Sequence, residues 1–215
     1  HLFCTGTNCE PQLVGKLEHF VSRNALNIDG LGEKTVAMLY EKGFVKNFAD
    51  IYDLAKHEAA ITGLEGFGQK SFDKMIAGIE ASKKEPLEKV LYSLSINLIG
   101  ETASKAIAKV YPSMDAILEA AQIPFTLQNR LLSLPDFGEK MATEFEDYFS
   151  NAENIKVIKA LQNSGLTMLS AYQAPATDSS VIDKTFVITG KLNKDRKEYK
   201  KEIESLGGKV SGSVS

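Results

Sequence analysis

Four times along this 215-residue chain, an apolar residue set among turn formers is followed by a glycine and then by a helical pattern. The segments are Gly30-Leu31-Gly32 in NIDGLGEKTVAMLY and Gly66-Phe67-Gly68 in ITGLEGFGQKSFDKMI. Leu98-Ile99-Gly100 in SINLIGETASKAIAKV and Asp136-Phe137-Gly138 in LSLPDFGEKMATEFEDYF complete the series. The closing glycines fall at 32, 68, 100 and 138, giving spacings of 36, 32 and 38 residues. A period of that length is one supersecondary unit, here a pair of short helices joined by a turn.

Apolar spacing places a helix after each turn. Val36, Leu39 and Tyr40 follow the first, and Phe72, Met75, Ile76 and Ile79 the second. Ala103, Ala106, Ile107 and Val110 follow the third; Met141, Phe145, Tyr148 and Phe149 follow the fourth. Residues 154–162 read as a closing helix that stops near Gly165. SAYQAPATDSS, at about 170–180, has linker composition. Beyond it the period changes: Thr185–Thr189 is a short β-type run, Arg196–Leu206 puts Tyr199, Ile203 and Leu206 on one helix face, and Val210, Gly212 and Val214 alternate. The fold class expected is mainly α: four tandem helix-hairpin-helix units, then an incomplete β-α-β segment.

The repeated turn has a chemistry of its own. Glycine permits positive φ and lets another molecule approach the backbone closely. The helix that follows offers N–H groups without intrahelical partners and the positive end of its dipole. Together these make a backbone cradle for a phosphate. Leu31, Phe67, Ile99 and Phe137 would point inward and pin the turns. Lys34, Lys70 and Lys140 stand two residues after the closing glycine and would add a charge beside the anion; Thr102 takes that place in the third unit. The candidate binding residues are therefore Gly30, Gly32, Lys34, Gly66, Gly68, Lys70, Gly100, Thr102, Gly138 and Lys140. Lacking the opening glycine and the lysine, the third unit reads as degenerate, structural rather than DNA-touching. For any one turn, glycine capping of an ordinary helical hairpin is the better explanation of the residues; the fourfold repeat favours binding.

Charge restricts how such binding can work. The chain is −3 overall, with 8 Lys+Arg against 6 Asp+Glu in residues 172–215 and 17 against 22 in the rest. A nonspecific polycation is excluded, so affinity must come from locally aimed donors. No apolar run of membrane-spanning length and no leader pattern is present, and a soluble, cytoplasmic chain is expected. It opens on His1 rather than Met, which suggests a fragment or processed product. Cys4 and Cys9 are spaced like one knuckle of a four-cysteine zinc site, or are two unpaired thiols.

CTGTNCEPQLVGKLEHFVSRNALNIDGLGEKTVAMLYEKG strongly resembles the zinc-finger-to-hairpin junction of bacterial NAD-dependent DNA ligases. The likeness continues through ADIYDL, GFGQKSFDKMIAGIEASK and LYSLSINLIGETAS, and ends in KTFVITGKL and IESLGGKVSGSVS, which look like the start of a BRCT domain. The resemblance implies that residues 1–22 are the second half of a Cys4 zinc finger, with Cys4 and Cys9 as its third and fourth ligands. Cys9-Glu10-Pro11-Gln12 departs slightly from the family's Cys-Pro-Ala-Gln. It implies a helix-hairpin-helix DNA-binding domain over 23–171, a linker over 172–182 and a partial BRCT domain over 183–215. The partner implied is nicked double-stranded DNA, held on its minor-groove side by a monomer. NAD and magnesium belong to the parent enzyme, whose adenylation domain has no counterpart here, so no catalytic or NAD-binding residue is expected.

Other signals weigh less. Thr189-Gly190-Lys191 lacks the earlier glycine and following Ser/Thr of a nucleotide loop. A BRCT Thr-Gly can hold phosphopeptide, but only with a later lysine that this sequence does not supply. The run Lys194–Lys201 reads as a solvated helix face. Two alternatives of other classes stand beside DNA binding: a protein-interaction module using the hairpins as scaffold, and a zinc hydrolase built on Cys4 and Cys9.

Overall fold

The computed structural model describes residues 10–172, 184–189, 195–205 and 209–211. These fall into two compact units, residues 1–170 and 171–215. In the first, every repeated turn joins two helices. The pairs are α1 (Glu10–Val21) with α2 (Glu33–Glu41), and α3 (Glu58–Thr62) with α4 (Gln69–Ser82). They continue with α5 (Leu87–Ser93) and α6 (Glu101–Val110), then α8 (Thr126–Leu132) and α9 (Glu139–Ser150). A 3-10 helix, Ala49–His57, separates the first two pairs, and α7 (Met114–Ala120) separates the last two. The unit is thus two halves of like order, each made of hairpin, connector and hairpin.

No single hairpin of this length has enough apolar surface to stand alone, so the pairs share one core. Leu17 and Phe20 of α1 are fully buried, so residues 10–21, grouped in the sequence reading with the cysteines, pack as the first helix of hairpin one. Phe20 stacks on Phe48 with centroids 4.5 Å apart and meets the edge of Tyr52. Phe145 and Phe149 fill the fourth hairpin at 4.7 Å from each other. The closing helix α10 (Ala152–Asn163) packs on α9 and on the 3-10 helix, and Gly165 at φ +97° ends the turn after it. The chain then threads back between earlier elements. Thr167 N–H donates to Lys83 C=O, Leu87 N–H to Leu169 C=O, Met114 N–H to Met168 C=O and Ser170 N–H to Pro112 C=O.

In the second unit β1 (Thr185–Val187) pairs parallel with β2 (Lys209–Ser211), Phe186 opposite Val210. Helix α11 (Arg196–Ser205) makes the crossover that parallel strands require and packs on β2. This is the expected β-α-β order. Leu206, Gly212 and Val214 lie outside the described residues, as do Gly190 and Lys191.

Candidate nucleic-acid interface

The four turns share one backbone. Their opening residues are all left-handed: Gly30 at φ +87°, Gly66 at +77°, Leu98 at +63° and Asp136 at +66°. Each is followed by the inward-facing apolar residue; Leu31, Ile99 and Phe67 are buried, and Phe137 is half-buried. In the first three turns that residue's N–H donates to the carbonyl three positions back, at 3.0–3.2 Å (Ile28, Leu64 and Ile96). Each then closes on an extended glycine that is the N-cap of the next helix: φ −84° at Gly32, −91° at Gly68, −85° at Gly100 and −93° at Gly138.

The closing glycines are the informative ones. Their dihedrals suit any residue, and a Cβ built on Gly32, Gly68, Gly100 or Gly138 meets nothing within 4 Å. The fold therefore leaves that space open without needing it. None of these four caps supplies a side-chain acceptor to the helix it begins. Several other helix starts differ. Ser113 caps α7 through Ala116 N–H, and Asn151 caps α10 through Glu153 and Asn154 N–H. At α8, Glu146 accepts from Phe125 N–H at 2.7 Å and Gln128 N–H at 2.9 Å. Side-chain oxygens thus serve the starts of α7, α8 and α10, whereas the four turns offer none, as is also the case at His57 before α3 and Pro86 before α5.

Lys34, Lys70 and Lys140 are exposed on the first turn of their helices, and Thr102 is exposed at the matching place in α6. Among the described residues none of the three lysines is in an ion pair. Helix charge, however, does not follow the ranking that the lysines suggest. Helix α6 has Lys105 and Lys109 against Glu101, a net +1, whereas α9 has Lys140 against Glu139, Glu144, Glu146 and Asp147, a net −3. Lys105 bonds Glu101 at 2.6 Å and holds that carboxyl below the usual carboxylate range. The third hairpin keeps the geometry of the others despite its altered sequence.

The first turn has a second task. A Cβ on Gly30 would lie 2.8 Å from Met75 Cα and N, and one on Gly78 would lie 2.2 Å from the Asp29 carbonyl oxygen. The Asp29-Gly30 turn is thus keyed into α4 through two glycines, with Lys74 paired to Asp29 at 3.1 Å. Gly78 was not among the sequence candidates; an isolated glycine inside the helical run MIAGIEAS is the signal that marks it. Glu146 was missed too, because nothing in the sequence shows which carboxylate will fold back onto α8.

The remaining displaced titrations belong to packing. Burial pushes Tyr52 up to about 12, partly offset by its 3.0 Å hydrogen bond to Ser82, and burial raises Tyr111 and Tyr148 as well. Cys4 and Cys9 lie outside the described residues. Among the described residues no cluster of three or more His, Cys, Asp or Glu could hold a metal, and no helix is long and apolar enough to cross a membrane.

Comparison with known families agrees with this geometry. Residues 22–81 match the SAM-like helix-hairpin-helix tandem family, residues 89–158 the helix-hairpin-helix motif family and residues 183–215 the BRCA1 C Terminus (BRCT) domain. Among curated proteins, a DNA ligase of Flavobacterium psychrophilum is 39% identical over 96% of this chain and 30% of its own length. Proteins named DNA ligase from Oceanobacillus iheyensis and Bacillus subtilis are 40% and 39% identical over the whole chain and 32% of their own lengths. The chain thus spans about 30% of the length of the relatives it matches.

Proposed function

We propose, for a chain that matches the C-terminal part of bacterial DNA ligases over essentially its whole length, that it binds nicked double-stranded DNA as a monomer and without regard to sequence. The observation that carries this reading is the set of four uncapped helix N-termini whose glycine caps face open space. A phosphate oxygen approaching Gly32, Gly68, Gly100 or Gly138 meets backbone N–H donors and no side chain. Lys34, Lys70 and Lys140 add charge at three of the four places. Such contacts fix the register of a duplex and carry no base preference. An acidic chain can bind in this way because the donors are backbone groups. Gly30 and Gly66 contribute by shaping the turn. In the longer relatives the same surface would hold the duplex for nick joining, whose NAD and magnesium chemistry belongs to the portion that this chain does not span.

Gel-shift titration of nicked and intact duplex across a salt series tests the reading. Binding should weaken steeply with salt, by about one decade per decade of salt for each phosphate contacted. Gly68→Val or Gly138→Val should lower affinity at least tenfold while helicity is retained, because valine accepts the extended cap conformation and has room. Folded variants that bind like the parent would sink the assignment. An absence of duplex binding at low salt would point instead to a protein-interaction module.

A further inference from the structure

The third hairpin holds a residue that neither packing nor turn geometry calls for. Leu98 sits at φ +63°, a conformation that an L side chain adopts at a cost of about 1–2 kcal/mol, and it is 45% exposed. At the same place Gly30 and Gly66 form the turn without that cost, and Asp136 does so with a residue type that tolerates it. The core gains little from Leu98, since the inward position of this turn belongs to Ile99.

The two halves explain why the side chain stands free. In the first half, the opening residue of hairpin one lies against α4, where Gly30 and Gly78 allow backbone to meet backbone. Gly78 is ten residues after its closing glycine, and the residue ten after Gly138 is Tyr148. With Leu98 and Tyr148 in place of two glycines, an approach of the first-half kind would collide. Leu98 is therefore exposed next to Asn97 and, with the Gly100 cap, itself lines an open hollow shared with His19, Tyr92, Ser95 and Ile96. Thr102 stands where the other hairpins have lysine. The third hairpin has exchanged a charge beside the cap for an apolar side chain beside the cap.

We propose that Leu98 is the apolar contact of this surface with duplex DNA, packing on the deoxyribose edge next to the phosphate held at the Gly100 cap. This deepens the DNA-binding reading and rests on it. The sugar face is an apolar surface that DNA presents within reach of a bound phosphate, and proteins that bind the minor groove frequently bring apolar side chains to it. Hairpin three is then neither degenerate nor equivalent to its neighbours: it grips through van der Waals contact where they grip through charge.

The test compares Leu98→Gly, Leu98→Asn and Leu98→Met in the full chain, with nicked duplex as probe. Covering about half of a leucine side chain corresponds to a loss of about fivefold in affinity for the Gly and Asn variants. Their slope of log affinity against log salt should match the parent, because no cation is removed. Leu98→Gly should melt at the parent's temperature or above it, having lost the strained leucine, and Leu98→Met should stay within about twofold of the parent. Gly and Asn variants that bind like the parent overturn the proposal and leave the DNA reading standing, as does a loss of binding that tracks a lowered melting temperature and extends to Leu98→Met. A parent chain that binds no duplex at low salt overturns both.

Discussion

Hairpins one and two, set beside hairpins three and four, form the same turns with different residues. LNIDGLG (residues 26–32) corresponds to LSINLIG (94–100), and GLEGFG (63–68) to SLPDFG (133–138). Asn27 and Ser95, three residues ahead of the opening position, are both left-handed, at φ +48° and +53°, a feature that hairpins two and four lack. The order is therefore alternating, one kind of turn and then the other, twice over. In the first half the turns are made of glycine and locked by glycine. In the second half Leu98 and Asp136 hold the same dihedrals, and a carboxylate from α9 clamps the start of α8. What persists across the halves is the backbone that offers N–H groups outward; what varies is how each half holds that backbone in place. The shared part is the part a ligand would meet.

The contrast can be broken most severely at the glycine lock. Gly78→Ala puts a methyl group 2.2 Å from the Asp29 carbonyl oxygen, which must move. A loss of about 3 kcal/mol is expected in urea denaturation, with the exchange protection of hairpin one falling first. A neutral result would mean that the two hairpins of this half are not keyed together. A smaller effect should follow from Glu146→Gln, which weakens the two backbone contacts at Phe125 and Gln128. The cost should be about 1–2 kcal/mol, with faster amide exchange at those two residues and none at hairpin one. Smallest of all, Thr102→Lys restores the lysine that the third hairpin lacks. Duplex affinity should rise about two- to threefold at low salt and the salt slope should steepen by about one, measured by the same gel shift. An unchanged slope would show that this helix start does not face a phosphate.

The sequence made the hairpins legible because their information is local: a glycine, an apolar pin and a 3.6-residue apolar stripe recur at near-constant spacing. The closing helix and the β-α-β order were legible for the same reason. Beyond its reach lay whatever depends on residues that meet only in space. Leu98 looked like a missing glycine, whereas the turn holds both it and Asp136 at positive φ, beside the packed Ile99 and half-buried Phe137. Nor did the sequence say which of glycine's two uses applied where: the closing glycines have ordinary dihedrals, and the space beside them is open. Gly78 acts across two hairpins and Glu146 across the two helices of its own hairpin, on partners 49 and 18–21 residues away, and no periodicity announces such pairs.

The returning strand of backbone at Thr167–Ser170 bears on how this unit is made. Each hairpin closes within some thirty residues, and its contacts are local in the chain even though its apolar face needs the neighbouring pairs. The Thr167 side chain, by contrast, donates to the Lys83 carbonyl across 84 residues, alongside the backbone bond between the same two residues. Until residue 170 emerges, Lys83 and Pro112 carbonyls and Leu87 and Met114 amides are left without these partners. The unit is thus expected to complete its packing late in synthesis, when residues 167–170 become available to bond with these groups.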